Sequence, residues 1–180
     1  MSTLSVDTIQ GQTTAANVKL PAGSILQTES TTVTGEFSTS SSSLVDITGM
    51  TLTITPKYNT SKMLITAQLN WGGVKNIYAG IRLIRGSTFI SNATSATGAQ
   101  TFASIGCGGD NENFQYKLEH TAIQFLDSPA TTNATTYKLQ VQTTGGPGTN
   151  TWHLNRPSNS DNAAYIVRGT STFTVQEISV

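Results

Sequence analysis

From Ser24 onward, apolar and polar residues alternate with a period of two. Met50, Leu52 and Ile54 alternate with Thr51, Thr53 and Thr55. Met63, Ile65, Ala67, Leu69 and Trp71 alternate with Lys62, Leu64, Thr66, Gln68 and Asn70. Tyr137, Leu139 and Val141 alternate with Thr136, Lys138, Gln140 and Gln142. Runs of this kind set one face on a core and the other in water, as strands of antiparallel sheets do. Shorter strands are predicted at 25–33, 77–85, 101–105, 121–126, 151–154 and 171–178. Turn clusters rich in Gly, Ser, Asn, Asp and Pro separate them at 38–43, 56–61, 91–98, 106–113, 127–132, 145–150 and 156–162. No amphipathic helical stretch and no fixed-period repeat stands out. Many short strands joined by polar turns predict an all-β fold, an antiparallel β-sandwich or jelly roll.

The first 23 residues do not share this pattern. The leader is polar and carries Leu4, Val6 and Ile9 as isolated apolar residues, with Gly11 and Pro21-Ala22-Gly23 as breaks. Three apolar side chains cannot build a core by themselves. The expectation is an extended anchor over 1–23, with Leu4, Val6 and Ile9 as partner-docking residues buried against another chain. A head domain over 24–180 follows.

Composition sharpens the picture. Ten Lys and Arg balance ten Asp and Glu in 180 residues, and only 11% of residues are charged, against ~25% in an average soluble domain. Threonine alone makes up about a sixth of the chain. Neutral polar faces, β-branched residues and 16 glycines favour strands and turns. A balanced charge supplies no basic footprint for nucleic acid and no basic face for anionic lipid. No apolar run is long enough to span a bilayer, so membrane insertion is not expected. The start lacks a basic region followed by an apolar one. With Cys107 as the one cysteine, no internal disulfide forms. Synthesis in a reducing cytoplasm is the expectation.

Candidate chemistry is sparse. His120 and His153 each lie in or beside a predicted strand, without an HExxH motif, paired cysteines or a His/carboxylate cluster. Cys107 has acidic neighbours, Asp110 and Glu112, which oppose a thiolate. The segment 108–113 has oxygen ligands at short spacing but lacks the full pattern of a calcium loop. Glycoside hydrolysis needs paired carboxylates at a cleft, and the ten acids are scattered among turns and strand faces. No catalytic residue, metal or cofactor is therefore assigned. The segment Trp152-His153-Leu154-Asn155-Arg156 sets an aromatic ring beside imidazole, amide and guanidinium donors. Trp152, His153, Asn155 and Arg156 together suit a glycan, whose C–H face stacks on a ring while its hydroxyls meet donors. The competing reading packs Trp152 and Leu154 inward and leaves His153 and Asn155 in solvent.

Four stretches together carry a resemblance. Met1-Ser2-Thr3-Leu4-Ser5-Val6-Asp7-Thr8-Ile9-Gln10 resembles the opening of short fibre and tail-associated virion structural proteins of marine tailed phages. Leu20-Pro21-Ala22-Gly23-Ser24-Ile25-Leu26-Gln27 is similar to the start of their globular part. The pattern from Ser41-Ser42-Ser43-Leu44-Val45-Asp46 through Ile54-Thr55-Pro56 to Ser61-Lys62-Met63-Leu64-Ile65 resembles theirs, and Thr172–Ile178 fits their closing strand. The resemblance implies a head of the tumour-necrosis-factor-like jelly-roll kind. It also implies a homotrimer located in the virion and made in the host's bacterial cytoplasm. Implied partners are other virion proteins of tail, baseplate or capsid, and a host cell-surface glycan. A capsid-decoration role without a receptor is the alternative, and a carbohydrate-active enzyme the more distant one.

Overall fold

The computed structural model describes residues 20–109, 112–144 and 150–180. The expected docking residues Leu4, Val6 and Ile9 lie outside them. The strands are β1 (Ile25–Val33), β2 (Phe37–Thr39), β3 (Val45–Ile54), β4 (Lys62–Gly73), β5 (Ile77–Arg85), β6 (Thr88–Phe89), β7 (Ile105–Gly109), β8 (Glu119–Asp127), β9 (Thr135–Thr143), β10 (Trp152–Leu154) and β11 (Ser171–Ile178). The single helical element among the described residues is a 3-10 turn at Phe114–Tyr116. No helix there is long and apolar enough to cross a membrane.

All the strand pairings are antiparallel and divide into two sheets. The first runs β1-β11-β4-β8, with short β10 and β2 extending it beside the far end of β4. The second runs β3-β9-β5, with β6 and β7 along the other edge of β5. Counting the eight principal strands in chain order, the sheets read first-eighth-third-sixth and second-seventh-fourth-fifth. That interleaving of two sheets is the jelly-roll form of the β-sandwich.

Parity along each strand decides what enters the core. On β4, Met63, Ile65, Ala67, Leu69 and Trp71 are all buried. Phe173 and Val175 of β11 and Ile123 of β8 join them from the same sheet, and Tyr137, Leu139, Val141, Ile81 and Leu83 face them from the other. Removing these faces from water is the main force holding the sheets together. β3 breaks parity: between the pairs Asp46–Gln140 and Thr51–Lys138, the four residues 47–50 face Leu139 alone on β9, and this bulge turns both Ile47 and Met50 inward.

One polar knot crosses between the sheets. Asp127 at the end of β8 is 7% exposed; Arg85 Nη1 of β5 donates to both its oxygens at 2.8 Å, and the Tyr137 hydroxyl of β9 donates at 2.7 Å. A second buried carboxylate, Glu177, accepts from Gln27 Nε2 at 2.6 Å and from the backbone N–H of Lys57 at 2.7 Å. It holds the β3–β4 loop to the end of β11.

Some local expectations fail, for a shared reason. Residues 106–113 read as a turn because of their glycines, yet Gly106, Gly108 and Gly109 lie in β7. Here glycine serves close approach: a Cβ on Gly109 would sit 2.4 Å from the Phe114 ring. The strand expected at 101–105 reduces to Ile105, and the turn expected from 38 begins inside β2.

Candidate functional site

The residues proposed from sequence for a glycan site sit together, but inside the protein. Trp152 is completely buried and faces Phe37 edge-on, with ring centroids 6.4 Å apart. No ring face is offered to a sugar, so the glycan reading of this segment is corrected: Trp152 is core, as the competing reading held. That reading is corrected in turn for His153 and Asn155, which are 5% and 1% exposed rather than solvated.

Asn155 is a structural hub. It stands at φ 62°, in the left-handed region, which Asn tolerates better than most residues. Its Nδ2 donates to the carbonyls of Val33 and Gly35, both at 2.8 Å, and its Oδ1 accepts from Ser171 Oγ at 2.6 Å. Its own N–H donates to Asn70 O at 2.7 Å. Side chain and backbone of this one residue thus tie the ends of β1, β4 and β11 together. Arg156 meets Glu36 at 3.1 Å, and Glu36 also pairs with Arg168 at 2.6 Å.

His153 lies between β4 and β2 in the ladder, opposite Gly72 and Ser38. Its Nδ1 finds no hydrogen-bond partner. Burial, and then the nearby Arg156 charge, hold its pKa at about 4. Below its ordinary value the unfolded chain takes up a proton that the folded chain refuses, so stability falls as pH drops from about 6.5 toward 4. We expect a loss of roughly 2 kcal/mol between pH 7 and pH 4.5, read as a falling urea midpoint, from a shift of this size. His153→Gln should flatten that slope; an unchanged slope would show that His153 is not its source.

Cys107 is buried in the core, with its thiol pushed up to about 12 by burial. The Trp152 indole N–H exerts a smaller opposing pull on it, although that N–H makes no hydrogen bond of regular geometry. The sulfur packs as a small apolar group. No group of three or more potential metal ligands occurs among the described residues.

The broad outer face of β1-β11-β4-β8 is the feature that sequence reading did not isolate. Its cross-strand rows are Thr32-Thr172-Gln68-Ala122, Ser30-Thr174-Thr66-Gln124 and Thr28-Gln176-Leu64-Leu126. Within these four strands the outward positions carry one formal charge, Lys62, opposite Ile178 at the end. The other sheet carries charge outward: Lys138 and Gln140 reach Asp46 at 2.9 and 2.7 Å, and Arg82 lies 4.9 Å over the Phe89 ring. The face ends in a largely apolar rim: Ile25 on edge strand β1 and Leu126 on edge strand β8 are each 51% exposed, with Ile178, Lys62 and Leu64 between them. At the β1 side of this rim Gly23 N–H donates to Ser179 O at 2.8 Å and Ser179 N–H to Ser24 O at 2.9 Å.

Fold and surface together define a jelly-roll β-sandwich with one charged and one nearly uncharged outer sheet. No protein-family model matches the chain, and no curated protein is significantly similar to it.

Proposed function

We propose that this protein is a non-enzymatic virion structural protein of a tailed phage, a homotrimer formed through the outer face of β1-β11-β4-β8. Residues 1–23 dock it on a partner virion protein, with Leu4, Val6 and Ile9 as the anchoring side chains. The loops at the opposite end, together with the 86–104 segment, face the host or solvent. The observation that carries this reading is the nearly uncharged outer face, ending in a largely apolar rim with exposed Ile25 and Leu126 on its two edge strands. A solvated sheet face is ordinarily defended by Lys and Glu against edge and face association. This chain places Asp46, Lys138 and Arg82 on the outer face of its other sheet and only Lys62 on this one, with Glu29 exposed on the edge strand β1. Burying a Thr/Gln face against copies of itself costs no desolvated charge, and association adds stability to the particle-bound form. The count of three and the virion setting come from the resemblance of the leader and the strand motifs.

Light scattering at micromolar concentration should return about three times the 19.0 kDa chain mass. Ile25→Lys with Leu126→Lys should give a monomer, since each puts an unpaired charge into the buried face without entering the core. The same variant should no longer be incorporated into particles. A wild-type monomer would sink the reading.

A further inference from the structure

A cleft of about 600 Å³ opens on the outer face of the charged sheet, between β5, β7 and the 93–103 loop. We propose that it is a binding site for a neutral saccharide. The size lies within the ~300–1,000 Å³ of sites that hold small-molecule ligands. Every described residue that lines it is uncharged. Tyr78, 44% exposed, supplies an aromatic flank beside a floor of strand backbone at Gly80 and Gly106. Ser95, Gln100 and Thr144 supply hydroxyl and amide groups around it. An aromatic ring with neutral hydrogen-bonding groups matches a sugar, which has C–H faces and hydroxyl edges. A phosphate or carboxylate would lose hydration among uncharged side chains here, since the nearby Arg82 guanidinium is engaged by Phe102 O and the Phe89 ring.

Gly106 supports a ligand independently of the cavity's shape. A glycine inside a strand costs ~0.5–1 kcal/mol and needs a reason, commonly close approach of another group. At Gly80 the reason is visible, because a Cβ would meet Ala103 Cβ at 3.2 Å. At Gly106 a Cβ would meet nothing within 4 Å, so the protein itself does not require glycine there. The bare backbone opens into the cleft. The walls are held in place before any ligand arrives. Ser104 N–H donates to Ile81 O at 2.8 Å, Arg82 Nε to Phe102 O at 2.9 Å and Thr144 N–H to Tyr78 O at 2.9 Å. A preformed wall spares a ligand the entropy of ordering it.

The site lies within one protomer, so it does not depend on the trimer and is tested on the monomeric Ile25→Lys/Leu126→Lys variant as well as on the full chain. Saturation-transfer NMR with glucose, galactose, N-acetylglucosamine and maltose at millimolar concentration should show transfer to the ring C–H protons of at least one sugar. Glucuronic and galacturonic acid should bind at least ~10-fold more weakly, for want of a cation. Tyr78→Ala and Gly106→Val should each abolish the transfer while the unfolding midpoint stays near that of the parent; if Gly106→Val unfolds, Tyr78→Ala decides. The proposal is overturned by no transfer to any of the four neutral sugars, by equal binding of the uronic acids, or by transfer that survives in a folded Tyr78→Ala variant. Displacement of bound sugar by none of its stereoisomers but by indole would equally overturn it, marking an apolar pocket.

Discussion

Asn155→Ala is expected to destabilise the folded chain by about 2–4 kcal/mol. Three contributions add. The Val33 and Gly35 carbonyls lose their donor, and the Ser171 hydroxyl loses its acceptor. Ser171 is fully buried, so its stranded hydroxyl costs roughly 1–3 kcal/mol, while the half-buried Val33 and exposed Gly35 carbonyls can turn to water and cost less. Alanine must also hold φ 62°, at a cost of about 1 kcal/mol. Two further variants separate these parts. Asn155→Gly removes the side chain and keeps the backbone comfortable, so it should be milder than alanine by about 1 kcal/mol. Asn155→Asp keeps the shape but sets a carboxylate against two carbonyl oxygens, and should be at least as damaging as alanine. Urea unfolding at one fixed protein concentration measures all three. Glycine and alanine variants of equal stability would remove the backbone contribution, and a loss under 1 kcal/mol in Asn155→Ala would remove the hub.

Asp127→Ala should cost about 3 kcal/mol or more, because it strands two groups at once. The Arg85 guanidinium, on a side chain 29% exposed, loses its counter-charge, and the fully buried Tyr137 loses the acceptor of its hydroxyl. Part of the Arg85 cost is met by water at its open side. Tyr137→Phe removes one hydrogen bond to a charged acceptor, for about 1.5–3 kcal/mol. The two effects should not add: with Asp127 gone the phenol has nothing to donate to, so Tyr137→Phe in that background should be nearly neutral. Strict additivity across the cycle would show that the two side chains act separately. Burial, with the Asp127 hydrogen bond and charge behind it, drives the Tyr137 phenol well above its ordinary pKa. The donor therefore stays protonated over the whole neutral range.

Much of the frame was legible from alternation. Predicted bounds of 25–33, 77–85 and 171–178 coincide with β1, β5 and β11, because each strand pairs along its whole length with one face on the core. The inward set on β4, Trp71 included, follows the same parity. β7 was not legible. Its glycines carry a turn signal in any local window, and the Phe114 ring that requires glycine at position 109 is brought there only by the tertiary fold. The glycan expectation failed through the same limit. A Trp beside a His, an Asn and an Arg has one composition whether it faces water or the core. Its direction is set by β10 pairing with β4 and β2 on both sides.

The sequence by itself determined the all-β class, the strand faces and the absence of a charged footprint, because these depend on side-chain period and type. The tertiary structure alone decided which strands became neighbours, and hence every site assembled from distant parts. The Asn155 hub joins groups 122, 120 and 16 residues away along the chain. The Tyr78 cleft draws on β5, β7, the 93–103 loop and Thr144. The uncharged face arises only when β1, β11, β4 and β8 lie side by side. Alternation is a property of adjacent residues, whereas these three features are properties of strand order, which local periodicity does not encode.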